Sequence, residues 1–484
     1  MNRRAFLAAA AAGCAMPDPS ASAAASRPNI VLILADDFGY GSPNCYGSSP
    51  RHVKTPNMDR IAREGIRFTD ANTPSSVCTP TRYGLLTGRY CWRTSLKSGV
   101  LGIQSPLHIE TERVTVASLL KGQGYRTAAI GKWHLGYGEG KTDYTQPLRP
   151  GPLDIGFDYH FSVPQNHGDS TGVFVENDRV LGLRSNKVAP FGKTYYGRPY
   201  LGIDAPQRDN DTVMDVLTGK AVEWLARQDS ASPFFLYFTP VAVHEPTTPS
   251  KATKGSSGAG PAGDWIHDLD LSLGRILKAL DEKGFTKDTL LIFTSDNGGV
   301  LLTEGDRPEA EAYRAGLRVN GSWRGRKHSV YEGGFRVPFL IRWPGQAPAG
   351  TTSGETISLV DMLATIAAIT GAALPPASQG AEDSHNVLPA FLGRKSARPL
   401  RASIITHSAE GNFAIRQGPW KYIEGQPAVP MERVPATRRD EMKPQLYNLV
   451  NDPAEQKNLL DQHPDLAGKL KDLLSTHRAA GHTR

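Results

Sequence analysis

The chain has 484 residues, enough for one large and one small domain or for two to three of ordinary size. Its 39% apolar content, with 49 Gly and 36 Pro, suits a loop-rich globular protein with a real core, and no internal apolar stretch is long enough to span a bilayer. A formal charge of +7 favours anionic partners by steering, yet no basic run interleaved with aromatics points to nucleic acid, and four cysteines are too few for a disulfide scaffold.

Residues 1–26 read as an export signal: Arg3-Arg4 before Phe6-Leu7, then an Ala-rich run, resemble a twin-arginine leader for a periplasmic or secreted protein. Cleavage is expected after Ala21-Ser22-Ala23 or a nearby small residue, and a lipid anchor at Cys14 is the weaker alternative because Ala-Ala-Gly-Cys is a poor lipobox. The apolar run Ile30–Ala35 predicts a parallel strand buried on both faces. Thr55-Pro56 predicts a helix start, with Thr55 as cap and Gly65 as its end. Val116, Leu119 and Leu120 mark a further helix, Thr127–Ile130 and Phe234–Phe238 strands, and Ile266, Leu269, Leu273, Ile276 and Leu280 a helix. Residues 251–263 read as a Gly/Ser/Ala loop, Leu290–Phe293 and Phe339–Ile341 as the last core strands, and 372–386 as an irregular lead into a second, smaller region. The alternation predicts an α/β fold, a large mostly parallel sheet flanked by helices on both faces, with a smaller C-terminal antiparallel-sheet subdomain. The expected division is 27–371 for the catalytic domain and 372–484 for the C-terminal subdomain. Cys45 and Cys91 are candidates to pair in an oxidising compartment.

The chemistry-bearing residues fall at the ends of these elements. Asp36-Asp37 follow the first strand and Asp296-Asn297 follow Leu290–Phe293, where open α/β sheets place their sites. Four oxygen donors there suit a hard divalent cation such as Ca²⁺, although an isolated Asp-Asp pair is more often a turn or cap. Lys132 and His134, in Gly131-Lys-Trp-His-Leu-Gly136, alternate and would point the same way on an extended segment. Residues 78–89 read Cys-Thr-Pro-Thr-Arg-Tyr-Gly-Leu-Leu-Thr-Gly-Arg, with Arg82 a permanent cation that could stabilise an oxyanion at position 78.

Together the 78–89 stretch, the Gly-Lys-Trp-His motif, the two acidic loops, and Lys327 before Glu332-Gly-Gly resemble the type I sulfatases of the alkaline phosphatase superfamily, from about Pro28 to Leu459. One departure is visible: Thr81 stands where the family's signature usually has Ser. The resemblance implies that Cys78 is oxidised to formylglycine by a formylglycine-generating enzyme, whose hydrate is the nucleophile. It implies one Ca²⁺ per chain held by Asp36, Asp37, Asp296, Asn297 and the group at 78, with sulfate bound by Lys132 and Lys327. His134 would contact the formylglycine and serve as base, and His244, in Val-His-Glu-Pro, would protonate the leaving oxygen. The expected activity is hydrolysis of a sulfated carbohydrate or an aryl sulfate. The rivals are a phosphodiester or phosphonate monoester hydrolase of the same superfamily and a non-catalytic binder of sulfated glycans. Arg324 and Arg326 lie close to Lys327, His167 is a candidate pocket residue, and His108, His160, His328 and His407 carry no motif. Segments 160–210 and 300–322, with Arg179, Arg184, Lys187, Arg198, Arg307 and Arg314, are where a second anionic group would be met. Oligomeric state is not legible.

Overall fold

The computed structural model describes residues 27–484; the expected leader, with Arg3, Arg4 and Cys14, lies outside the described residues. Strand β1 (Asn29–Ala35) is buried along its whole length, and its period-2 side chains feed two separate cores. Ile30, Leu32 and Leu34 enter one, and Val31, Ile33 and Ala35 the other. Around it stand β2 (Ile66–Phe68), β3 (Arg126–Lys132), β4 (Tyr159–Val163), β5 (Val175–Glu176), β6 (Arg179–Val180), β7 (Phe234–Thr239), β8 (Thr289–Ser295), β9 (Phe339–Arg342) and β10 (Thr351–Ser353). The ten strands run in the order β10-β2-β9-β8-β1-β7-β3-β4-β5-β6. The central run from β8 to β4 is parallel throughout, whereas β9 on β8, β2 on β9, β5 on β4 and β6 on β5 are antiparallel. The sheet is therefore mixed, with the expected parallel character confined to its middle and to β10 beside β2.

Helices α2 (Cys78–Thr87), α3 (Val116–Gly122) and α6 (Met362–Thr370) cover one face, while α1 (Pro56–Glu64), α4 (Val213–Ala226) and α5 (Gly260–Glu282) cover the other. All ten residues of α2 are buried. A second sheet, β11 (Ile404–His407), β12 (Phe413–Gln417), β13 (Trp420–Ile423) and β14 (Gln445–Asn448), is antiparallel throughout and backed by α7 (Pro464–Ala480). It grips the chain just ahead of α2, because His407 N–H donates to Pro74 O and Ser76 N–H to His407 O, both at 3.2 Å. Behind it, the Lys421 ammonium lies 3.0 Å from Glu332 and 2.8 Å from Glu455. Among the described residues no helix is long and apolar enough to cross a membrane.

Three local expectations are corrected. Thr55 does not cap α1: its hydroxyl accepts from Asn44 N–H at 2.8 Å, and the first-turn amides of Asn57 and Met58 donate instead to the Asp270 carboxylate of α5 at 3.2 and 3.0 Å. Gly65 ends α1 as expected, with an extended backbone; it is needed because a Cβ there would lie 1.8 Å from Ile341 O. Helix α5 begins at Gly260, taking the last residues of the expected 251–263 loop. Cys45 and Cys91 are free thiols, since Cys45 packs with the core on one face of the sheet and Cys91 with the core on the other.

Candidate active site

The carboxyl ends of β1, β8, β3 and β7 deliver Asp36-Asp37, Asp296-Asn297, Lys132 and, after a short turn, His244 to one place, the position where parallel sheets leave unpaired backbone and open space. Backbone ties fix the loops. Asp36 N–H donates to Ala242 O (3.1 Å) and Val243 N–H to Asp36 O (2.7 Å), joining the first acidic loop to the His244 turn. Lys327 N–H donates to Gly299 O (3.1 Å), tying the second lysine to the segment after β8. Cys78 arrives as the first residue of α2.

The side chains form a compact charged cluster. The Lys132 ammonium lies 3.0 and 2.8 Å from the two Asp36 oxygens and 3.3 Å from Cys78 Sγ, which is itself 3.7 Å from Asp36 Oδ1. Lys327 donates to Asp37 Oδ2 at 2.7 Å, and His244 Nε2 stands 3.8 Å from the same oxygen. Arg82 commits its guanidinium to Asp296 Oδ2 (3.0 and 2.7 Å) and to Lys132 O (3.0 Å), so it braces a carboxylate and a strand end instead of aiming at position 78. Three buried carboxylates (Asp36, Asp37, Asp296) thus face three buried cations (Arg82, Lys132, Lys327), a balanced set with no spare negative charge. Burial would raise the Asp37 carboxyl, but Lys327, His244 and Lys132 outweigh it and hold it well below the ordinary range. Burial pushes the Cys78 thiol up to about 12 against the pull of Lys132 and Lys327, so as a thiol it is a poor nucleophile.

A divalent cation suits this donor set. Ligand atoms of Asp36, Asp37, Cys78 and His244 lie within 4.8 Å of one another. Asn297 Nδ2 donates to Asp37 Oδ1 at 2.8 Å, which turns its Oδ1 into a buried acceptor with no protein partner. An orphaned buried oxygen among carboxylates is the expected mark of a cation site. Asp296 borders the cluster through Asp37 N–H, which donates to its Oδ1 at 3.2 Å.

The two histidines are oriented by backbone carbonyls. His134 donates from Nε2 to Leu101 O at 3.2 Å, leaving Nδ1 unprotonated and without a partner. Burial, then Lys132 and Arg82, keep this imidazole neutral, its pKa held well below the usual value. His134 does not continue the strand alternation from Lys132: β3 stops at Lys132 and His134 adopts φ 59°, so the two reach the site by different routes. Gly131 (φ 124°) is required at this bend, because a Cβ would lie 2.0 Å from Thr239 O. His244 donates from Nδ1 to Glu245 O at 2.6 Å, which turns Nε2 toward Asp37. Burial and Lys327 lower its pKa well below the usual value, Asp37 opposing.

The remaining candidates scatter. His167 is buried beneath the 244–246 turn, its Nε2 donating to Pro246 O at 2.6 Å. Arg184 pairs with Asp204 and Arg307 with Glu245, which leaves both anchored within the protein. Thr81, the departure from the usual signature, donates to Ser75 O at 3.3 Å, and Thr79 donates to His134 O at 3.1 Å, linking α2 to the Gly-Lys-Trp-His turn. Three contributors escaped sequence reasoning: the carbonyls of Leu101 and Glu245, which orient the histidines, and Tyr196, which donates to Glu245 O at 3.0 Å. Carbonyls carry no residue-type signal, and the Tyr195-Tyr196 pair sits in no motif.

Known proteins bear on this site. The sulfatase family model matches residues 28–372. An N-acetylgalactosamine-6-O-sulfatase of Bacteroides thetaiotaomicron is 36% identical, over 93% of each chain. Human arylsulfatase A is 34% identical, over 94% of this chain and 86% of its own. A solved Bacteroides thetaiotaomicron structure from work on glycosaminoglycan metabolism superposes with a TM-score of 0.85 at 35% identity, over 94% of this chain and all of that one.

Proposed function

The chain belongs to the sulfatase family, and from that premise we propose that it hydrolyses sulfate esters of carbohydrates at the Cys78 site, through a formylglycine at position 78 and one bound Ca²⁺. The observation that carries the reading is the contact of Lys132 Nζ with both Asp36 and Cys78 Sγ, in a cluster whose thiol is otherwise inert. A formylglycine supplies the hydroxyl of its hydrate as nucleophile. Asp36, Asp37, Asp296, Asn297 and the group at 78 would hold a cation that would supply positive charge for the sulfate, and hard oxygen donors without a Cys/His tetrad favour calcium over zinc.

The chain's own residues do the rest. Lys132 and Lys327 bind sulfate oxygens and stabilise charge that grows on them. Arg82 holds Asp296 in place and serves as a positioning residue. His244, fixed by Glu245 O, presents Nε2 to the leaving oxygen, where it gives up a proton; arrival of an anionic ester beside it favours the protonated form it needs. His134 takes a proton at its free Nδ1, the neutral state that burial and the neighbouring cations already impose. With the protein charges balanced, a divalent cation gives the site the positive excess that a sulfate ester requires.

The names of the relatives make a 6-O-sulfated N-acetylgalactosamine the first substrate to test. Residues 27–371 would be the catalytic domain and 372–484 a subdomain that braces it, in a protein matured by a formylglycine-generating enzyme and exported by the Arg3-Arg4 leader. Turnover of 4-nitrophenyl sulfate against bis-4-nitrophenyl phosphate tests the reaction class. Faster phosphodiester cleavage would replace the sulfatase reading with that of a phosphodiesterase.

A further inference from the structure

Residues 188–203, which follow β6 in the chain, form a hairpin whose tip reaches the 244–246 turn through Tyr196. Antiparallel bridges join Val188 to Ile203 and Phe191 to Tyr200, whose rings stack at 5.1 Å. The tip is closed by Thr194 N–H donating to Arg198 O (2.7 Å) and Gly197 N–H to Thr194 O (2.9 Å). It carries Tyr195 and Tyr196, 51% and 41% exposed, their rings edge to face at 5.1 Å. Exposed aromatic pairs are uncommon on a solvated surface without a ligand to cover them.

This pair is joined to the catalytic machinery. Tyr196 Oη and His244 Nδ1 donate to the same acceptor, Glu245 O, at 3.0 and 2.6 Å. One side of the Tyr196 ring lies against Gly168, where a Cβ would be 3.3 Å from Cε2, so the ring is backed by protein. The cations on either side, Lys193 and Arg198, are exposed, and among the described residues neither takes part in an ion pair, in contrast to Arg184, paired with Asp204, and Arg307, paired with Glu245. Two aromatic faces between two unneutralised cations match one ligand chemistry: a pyranose ring, whose apolar C–H face covers an aromatic ring, bearing or adjoining an anionic group.

Building on the reading of the Cys78 site as a sulfate-ester hydrolase, we propose that the hairpin tip 193–198 is its sugar-binding wall, one ring of the perpendicular Tyr195–Tyr196 pair stacking on the sulfated sugar and the other meeting its edge, with Lys193 and Arg198 selecting a second charge on the neighbouring sugar. The substrate class is an anionic glycan with a sulfate on one residue and a carboxylate or sulfate on the next.

Two measurements test this. With converted enzyme, the ratio of kcat/KM for chondroitin 6-sulfate disaccharide to that for 4-nitrophenyl sulfate falls at least about tenfold in Tyr195→Ala and Tyr196→Ala and is restored in Tyr196→Phe, which keeps the ring. In the Lys193→Ala/Arg198→Ala protein, KM for the uronate-bearing disaccharide rises relative to that for N-acetylgalactosamine 6-sulfate, and the rise disappears in high salt. Calorimetric binding of chondroitin, dermatan and heparan sulfate tetrasaccharides to a Cys78→Ala protein separates recognition from turnover: at least one binds, and the hairpin variants weaken it. Unchanged ratios, or no binding by any of the three, overturn the hairpin assignment. A converted enzyme that cleaves neither aryl nor glycan sulfate, yet binds the glycan through the hairpin, overturns the sulfatase reading alone.

Discussion

If formylglycine and not the thiol is the nucleophile, specific activity must follow the converted fraction of residue 78. The structure sets the contrast. With the thiol pushed to about 12 by burial, only about one chain in ten thousand holds a thiolate at pH 8. Thiolate chemistry would therefore gain about tenfold in rate per pH unit from pH 7 to 10, whereas aldehyde chemistry has no such slope. Trypsin releases Phe68–Arg82, and its aldehyde form is lighter than the thiol form by ~18 Da. Preparations made with graded amounts of a formylglycine-generating enzyme provide a series of fractions, measured by mass spectrometry on this peptide. Turnover of 4-nitrophenyl sulfate should be proportional to that fraction and extrapolate to zero. Cys78→Ala, a small change in a buried side chain, should stay folded by circular dichroism and lose several orders of magnitude of turnover. A fully thiol preparation as active as a converted one, or a tenfold rise per pH unit, would refute the reasoning.

Further outcomes are expected. Chelation should abolish most turnover, with Ca²⁺ restoring it better than Zn²⁺, and Asn297→Ala should raise the calcium concentration needed for half-restoration; activity indifferent to chelation removes the cation. Lys421 is shared by Glu332 and Glu455: burial lifts Glu455 to about 7, while for Glu332 the opposing Lys421, Arg336 and Arg416 overcome burial and hold it at about 2. A raised carboxyl stabilises below its unfolded value and loses that as pH rises through the folded one, so Glu455 costs stability as pH rises from about 4.5 toward 7. Glu332 has the opposite sign, its contribution present above about pH 4.5 and lost as pH falls toward 2. Melting temperatures of Glu455→Gln should therefore be flatter than wild type between pH 4.5 and 8, and parallel curves would dismiss this account. Asp270→Ala uncaps α1 across the α1–α5 contact and should cost about 1–2 kcal/mol in urea unfolding, against no more than a few tenths for a surface Asp such as Asp229.

What the sequence disclosed and what it hid follow from the range of each interaction. Apolar runs such as Ile30–Ala35 and Phe234–Phe238 announce buried parallel strands because burial on both faces demands them, and acidic pairs at their carboxyl ends announce the site. Signals that depend on a distant partner were silent. Asp270, more than two hundred residues from α1, replaces Thr55 as its cap, and nothing local to Thr55-Pro56 carries that information. The same holds for His134: strand alternation is a correct local rule, but the strand ends at Lys132 and His134 turns out of it at φ 59°. The edge strands beside the parallel centre were equally illegible, since their direction is set by how the chain returns to the sheet.

The complete burial of Cys78–Thr87 has a consequence for how an active molecule comes into being. A modifying enzyme needs its target side chain and the residues around it in an open cleft, and the native protein presents neither. If position 78 is oxidised to formylglycine as proposed, oxidation and folding compete for the same newly made chain. Once α2 docks under the grip of β11, a thiol left at 78 is trapped for as long as the native state persists. The proportion of active molecules is then a historical quantity, decided by relative rates during synthesis and unaffected by later exposure to the modifying enzyme. Mutations that delay docking of α2 should raise that proportion even while they lower stability.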